Sequence, residues 1–169
     1  LPEGAALVAS KHQSAWDTFA LLPLFRDPAV VLKDELKLIP VYGWFCVKFA
    51  HILVKREKAA IALKSLIRDA RARIADGRQI LIFPEGTRRT PGAPPDYKSG
   101  YVALYEALGV PCVPLALNSG LFWPRRSLMR RSSASVSATQ ASRTSLVVAR
   151  MSRLNTQRPG TTLVEPLGT

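Results

Sequence analysis

Short, wholly apolar runs alternate with longer stretches of helical spacing as far as Arg126. Ala5 to Ala9 is an unbroken apolar run ahead of a polar loop, the mark of a buried strand. Trp16 to Phe25 follows as a helix-compatible stretch, and Ala29 to Leu32 as a second strand. Tyr42 to Ala50 reads as an apolar helix leading into a third strand, His51 to Val54. The clearest helix is Lys58 to Ala75. Leu63, Ile67, Ala70 and Ile74 recur there at i, i+4, i+7 and i+11, and Gly77 supplies a C-terminal stop. Gln79 to Phe83 is a fourth strand, Tyr101 to Leu108 a helix stopped by Gly109, and Cys112 to Leu117 a fifth strand. This alternation predicts an α/β fold with a mixed, largely parallel sheet flanked by helices. Ligands of such sheets gather beyond the carboxyl ends of the strands, which singles out His12, Glu85 and Asn118.

Beyond Ser127 the pattern breaks. The last 43 residues hold 14 Ser or Thr, six Arg, no Lys and no Phe, Trp or Tyr. Such a segment has little apolar side-chain area to offset its ordering entropy. Residues 1–126 therefore read as the folded domain and 127–169 as a Ser/Arg-rich tail, disordered or altered in reading frame. Only Ser145 to Ala149 and Thr161 to Val164 carry any strand signal.

Composition narrows the class. With 47% hydrophobic and 21% charged residues, the chain is not disordered as a whole. Cys46 and Cys112 both lie in apolar runs, which argues against a disulfide framework or a zinc site and suits a reducing compartment. Leu38 to Val54, the longest apolar stretch, is short and interrupted by Pro40, Gly43, Lys48 and His51, so a spanning helix is not expected. The net charge of +12 calls for a polyanionic partner: nucleic acid, an anionic membrane, or an acidic substrate or carrier.

Four clusters carry chemistry. His12 follows the first strand, and an imidazole suits general-base work near neutral pH. Asp17, one helical turn on, is placed to orient it. Ser14 to Asp17 also fits a helix capping box, and the two roles can coexist. Phe83 to Arg89 ends a strand in a turn bearing a carboxylate, a Gly, a hydroxyl and two guanidiniums; it suits a phosphate, or is an ordinary turn with solvated Arg. Lys33, Arg56 and Lys98 are solvated charges singly and an anion site if they converge with Arg88. Val110 to Leu115 has Pro111 and Pro114 about a strand start, an edge position beside an apolar groove or plain core. Cys112 there is an inert core thiol rather than a nucleophile.

Taken in order, these blocks resemble the lysophospholipid acyltransferase family, specifically bacterial 1-acyl-glycerol-3-phosphate acyltransferases. His12 to Asp17 is similar to its H-x4-D block, and Lys33 to Leu36 with Ile39, Pro40, Gly43 and Trp44 to its K-x-E-L, I-P and G-W segment. Val54 to Arg56 takes the place of its second block, Phe83 to Arg88 matches F-P-E-G-T-R letter for letter, Lys98 to Gly100 matches K-x-G, and Val110 to Leu115 resembles V-P-x-V-P.

The resemblance implies a glycerolipid-acyltransferase-like fold and transfer of an acyl group from acyl-CoA or acyl-carrier protein to the sn-2 hydroxyl of lysophosphatidic acid. His12 is then the base and Asp17 its orienter. Arg88, Arg56 and Lys98 hold the acceptor's phosphate, Glu85, Gly86 and Thr87 position the acceptor, and Pro114 lines the acyl groove. No metal and no bound cofactor are implied. The expected partners are an anionic membrane surface and an acidic carrier, not nucleic acid. The expected location is the cytoplasmic face of the inner membrane, peripheral or anchored through a segment ahead of Leu1.

Two departures stand out. Lys55 replaces the usual Asp of the second block, and after Arg126 the resemblance stops, which would leave the sheet incomplete at its C-terminal end. The rivals are an inactive membrane-peripheral fragment of the same fold and a basic nucleic-acid-binding module.

Overall fold

The computed structural model describes residues 3–55 and 59–123. Arg56 and the tail, including both of its strand signals, lie outside the described residues.

Five strands form one sheet: β1 (Ala6–Ser10), β2 (Ala29–Lys33), β3 (Ile52–Val54), β4 (Gln79–Ile82) and β5 (Cys112–Leu115), in the order β3-β2-β4-β1-β5. All four pairings among the described strands are parallel, so no antiparallel pair makes this part of the sheet mixed. β1 runs between β4 and β5, with Val8 in register with Leu81 on one side and Val113 on the other. Every β1 residue is buried, as a central strand covered on both faces requires. Pro114 sits on β5, the last of the described strands on that side, opposite Ala9, where its missing N–H breaks no described ladder.

Two apolar layers sandwich the sheet. Leu7, Ile80 and Ile82 face α3 (Ala59–Ala75) and α4 (Ser99–Leu108), meeting Leu66, Ala70 and Leu104. Val8, Val30 and Leu81 face the other way, against Leu21, Phe25, Phe83 and Cys46 of α2 (Tyr42–Lys48). In α3 the deepest residues are Leu66 and Ala70. Both helical stops hold: Gly77 and Gly109 take left-handed backbone, at φ 77° and 64°.

The expected helix Trp16 to Phe25 is broken. α1 covers only Trp16–Ala20, and Leu22–Leu24 forms a 3-10 turn around Pro23. Proline supplies no N–H to continue an α-helical ladder. A second 3-10 helix, Asp34–Leu38, precedes α2. Gly43 lets the two approach: a Cβ there would lie 1.9 Å from the Lys37 carbonyl oxygen.

Candidate active site

Parallel pairing sends the carboxyl ends of all five strands to one rim. The loops after β1 and β4 are neighbours there, tied by the Arg89 N–H donating to the His12 carbonyl at 2.8 Å. The His12 ring stacks on Phe83, with centroids 4.1 Å apart.

Asp17 organises the β1 loop. It is wholly buried, and its Oδ2 accepts hydrogen bonds from the backbone N–H groups of Gln13 (2.7 Å) and Ser14 (2.8 Å). The same oxygen lies 3.1 Å from His12 Nδ1. Ser14 Oγ accepts from Trp16 N–H at 3.2 Å, one residue short of the Asp17 N–H that a full capping box uses, and the helix N-cap falls at Ala15 without a side-chain cap bond. Asp17 supplies only the carboxylate half of the box, accepting Ser14 N–H, beside its imidazole contact. Burial alone would raise its pKa; hydrogen bonds from His12, Ser14 and Gln13, with the Ser119 hydroxyl close by, overcome this and hold the carboxyl below the ordinary range. An ionised Asp17 accepts Nδ1–H, which leaves Nε2 as the basic ring nitrogen.

Support for this loop comes from residues the sequence reading passed over. Ser119 and Gly120 open the short helix α5 (Ser119–Phe122). Gly120 N–H donates to Gln13 Oε1 at 3.2 Å, and a Cβ on Gly120 would lie 2.9 Å from Gln13 Cβ. The one available signal was position: Asn118, Ser119 and Gly120 follow a strand end.

A cavity of about 700 Å³ opens beside His12, within the size range of small-molecule sites. His12, Gly86, Thr87, Arg88 and Lys98 all line it, joined by Lys33. Lys98 is the residue before α4, so the positive end of that helix also meets the cavity, through Lys98 and Gly100. Its apolar wall is made by Phe19, Leu36, Ile39, Tyr42 and Leu66.

Two sequence candidates sit elsewhere. Glu85 is 1% exposed, does not line the cavity, and forms an ion pair with Lys11 at 2.5 Å. Pro114 lies in the ladder beside β1 and is not part of the cavity wall. Arg56, the remaining candidate, follows β3 in the sequence but is outside the described residues. Cys112 is buried, with Sγ 3.2 Å from the Tyr101 hydroxyl, and burial pushes its thiol pKa up, as an inert core thiol requires. Among the described residues, no group of His, Cys, Asp and Glu is arranged to hold a metal ion.

Comparison with known proteins adds three findings. Residues 1–118 match the family model described as acyltransferase. The chain is 38% identical over 125 residues to a Pseudomonas aeruginosa 1-acyl-sn-glycerol-3-phosphate acyltransferase, covering 74% of this chain and 49% of that protein. It is 31% identical over 116 residues to a protein of the same activity from Chlamydomonas reinhardtii, covering 69% of this chain and 35% of that one. The chain thus spans about half or less of the length of these relatives. The crystal structure of the 1-acyl-sn-glycerophosphate acyltransferase PlsC from Thermotoga maritima superposes with a TM-score of 0.65 at 21% identity, covering 94% of this chain and 69% of that one, a likeness of fold. With the family model matching over more than half its length, this chain belongs to the acyltransferase family.

Proposed function

We propose that the chain transfers an acyl group from a thioester donor, acyl-CoA or acyl-carrier protein, to the sn-2 hydroxyl of 1-acyl-glycerol-3-phosphate, giving phosphatidic acid at an anionic membrane surface. One observation carries the reading: an Asp17-anchored imidazole opens into a cavity with cationic groups and an apolar wall. A phosphorylated, acylated alcohol has the matching parts. The names of the relatives point the same way.

In this reading His12 Nε2 takes the proton of the sn-2 hydroxyl as its oxygen attacks the thioester carbonyl. Asp17 holds the ring and stabilises the imidazolium that forms. The tetrahedral intermediate expels the thiolate, which recovers the proton from His12. No acyl-enzyme forms, so no protein nucleophile is needed. Arg88 grips the phosphate, joined by Lys98; Gly86 and Thr87 border the glycerol. Glu85 serves at one remove, pairing with Lys11 in the residue next to His12.

The test is direct. Purified protein is incubated with 1-oleoyl-glycerol-3-phosphate and, in separate reactions, an acyl-CoA or an acyl-carrier protein thioester, and the product is analysed by mass spectrometry with positional lipase digestion. Phosphatidic acid carrying the new chain at sn-2 is expected. A folded protein that makes none, with either donor, would be an inactive fragment of this fold.

A further inference from the structure

Helix α2 is apolar on the wrong side. Its inner residues Gly43 and Cys46 are buried, as a surface helix requires. Its outer face should then be polar. Instead Trp44, Val47 and Phe49 are 57%, 66% and 48% exposed, Phe45 is exposed beside them, and Leu38 and Val41 extend the patch from the preceding turn. Trp44 packs edge-to-face on Phe45, which stacks on Phe49, so these are neighbours on one surface. A helix apolar on both faces belongs in a core or against a membrane.

Charge identifies the occupant. Lys48 Nζ lies 4.4 Å above the Trp44 ring, placing an ammonium at the edge of the aromatic surface. Lys33 stands exposed where the same segment meets the cavity, and Lys37 stands exposed beside it, paired with Asp34 at 2.7 Å, on a chain of net charge +12. Tryptophan with adjacent lysines is the pairing favoured at a membrane interface, where the ring sits at headgroup depth and the ammonium meets lipid phosphate. The patch also runs into the cavity: Phe19 and Ile39 are 56% and 47% exposed and line its wall, and Phe19 meets Tyr42 edge-to-face. No described helix is long and apolar enough to cross a membrane, so contact through this face is interfacial.

We infer that the outer face of α2 and the turn before it form an interfacial docking surface for anionic phospholipid bilayers, oriented so that the cavity opens at the lipid. This rests on the proposed lipid-acyl transfer and adds to it the face by which a membrane-embedded acceptor reaches His12. Its acyl chain stays in contact with apolar surface while the headgroup moves to the imidazole.

The test uses the 169-residue chain and vesicles of phosphatidylcholine with 30% phosphatidylglycerol (about one anionic lipid in three, enough for a strongly negative surface). Sedimentation reports binding, and brominated lipids report tryptophan insertion. The variant is Phe45→Ser/Val47→Ser, which alters neither the cavity lining nor the buried side of α2. The wild type is expected to bind, with quenched tryptophan emission, and the variant to bind at least tenfold more weakly. Equal binding by the two proteins would overturn the assignment. So would absence of binding, or a wild-type dimer in solution that the variant converts to monomer. Both proteins are also assayed on a monomeric short-chain lysophosphatidate without vesicles, where equal rates are expected. Failure of the wild type on that acceptor refutes the proposed transfer and leaves the docking result standing by itself.

Discussion

Replacing Asp17 by Asn separates the two jobs of one oxygen. Asp17 Oδ2 accepts from Gln13 N–H, Ser14 N–H and, at 3.1 Å, His12 Nδ1. Asparagine keeps the shape and one acceptor oxygen but loses the charge. A hydrogen bond to a charged group is worth about 1.5–3 kcal/mol and a neutral one about 0.5–1.5, so the two backbone bonds together weaken by roughly 2 kcal/mol. Burying a neutral amide in place of a carboxylate, at a position with no exposure, returns part of that. A net loss of about 1 kcal/mol lowers Tm by roughly 2–8 °C for a domain of this size. The catalytic cost is larger. The imidazolium loses a charged partner worth about 1.5–3 kcal/mol, or roughly 10–150-fold in rate. The related change in a serine-protease triad costs about 10⁴-fold because the amide imposes the wrong tautomer. Here the two backbone N–H donors pin the amide oxygen toward His12, so the tautomer survives and a loss near 10²-fold is expected. Steady-state kcat and thermal denaturation on the same preparation decide it. A kcat within about threefold of wild type, alongside the Tm loss, would leave Asp17 a helix cap alone. A loss of about 10⁴-fold would show that the oxygen is not pinned.

Arg88→Lys keeps the charge at the cavity but removes the bidentate fork. KM for the phosphorylated acceptor should rise about tenfold or more with KM for the thioester little changed, and equal rises would remove Arg88 from the phosphate. Lys11→Met leaves Glu85 buried without its counter-charge, at a cost of about 3–5 kcal/mol. Urea denaturation should show that loss, with part of it recovered in Lys11→Met/Glu85→Gln. His51 Nδ1 accepts the Val30 N–H at 3.2 Å; burial first, then the Arg78 charge, lowers its pKa below 6.5, against a smaller opposing effect of Asp27. The unfolded chain then binds more protons, so stability is full above pH 6.5 and declines as pH falls toward the folded value. The slope is at most about 1.4 kcal/mol per pH unit for one proton. In His51→Asn, where an amide oxygen can still accept the Val30 N–H, denaturation between pH 7 and 5 should lose this component.

Local signals placed most of the fold because they depend on neighbours in sequence. The apolar run Gln79 to Phe83 became β4 to within one residue, and Gly77 and Gly109 stopped their helices by adopting left-handed backbone. Pro23 was visible, yet its effect was underread, and one expected helix became α1 plus a 3-10 turn. Strand order was not legible: inserting β4 between β2 and β1 depends on contacts far apart in the chain. The same holds at the site. His12 and Lys98 could be singled out because each lies beside an element end, and the structure brings both, with Arg88, to the cavity wall. The partners that reassign Glu85 and brace Gln13 lie 74 and 107 residues away, in Lys11 and Gly120. The exposure of α2 was equally hidden, since Trp44, Phe45 and Val47 read as core in any pattern of apolar residues.

The central claim is that His12, held by Asp17, is the base for acyl transfer. The decisive measurement is single-turnover conversion of lysophosphatidic acid and radiolabelled acyl-CoA to phosphatidic acid by wild type and by His12→Ala, with folding of both verified by circular dichroism. The ring stacks on Phe83 and its side chain is 15% exposed, so its removal should leave the sheet intact. Loss of a general base costs on the order of 10²–10⁴-fold, and the rate constant should fall at least that far. A folded His12→Ala protein that forms phosphatidic acid at the wild-type rate would contradict the account.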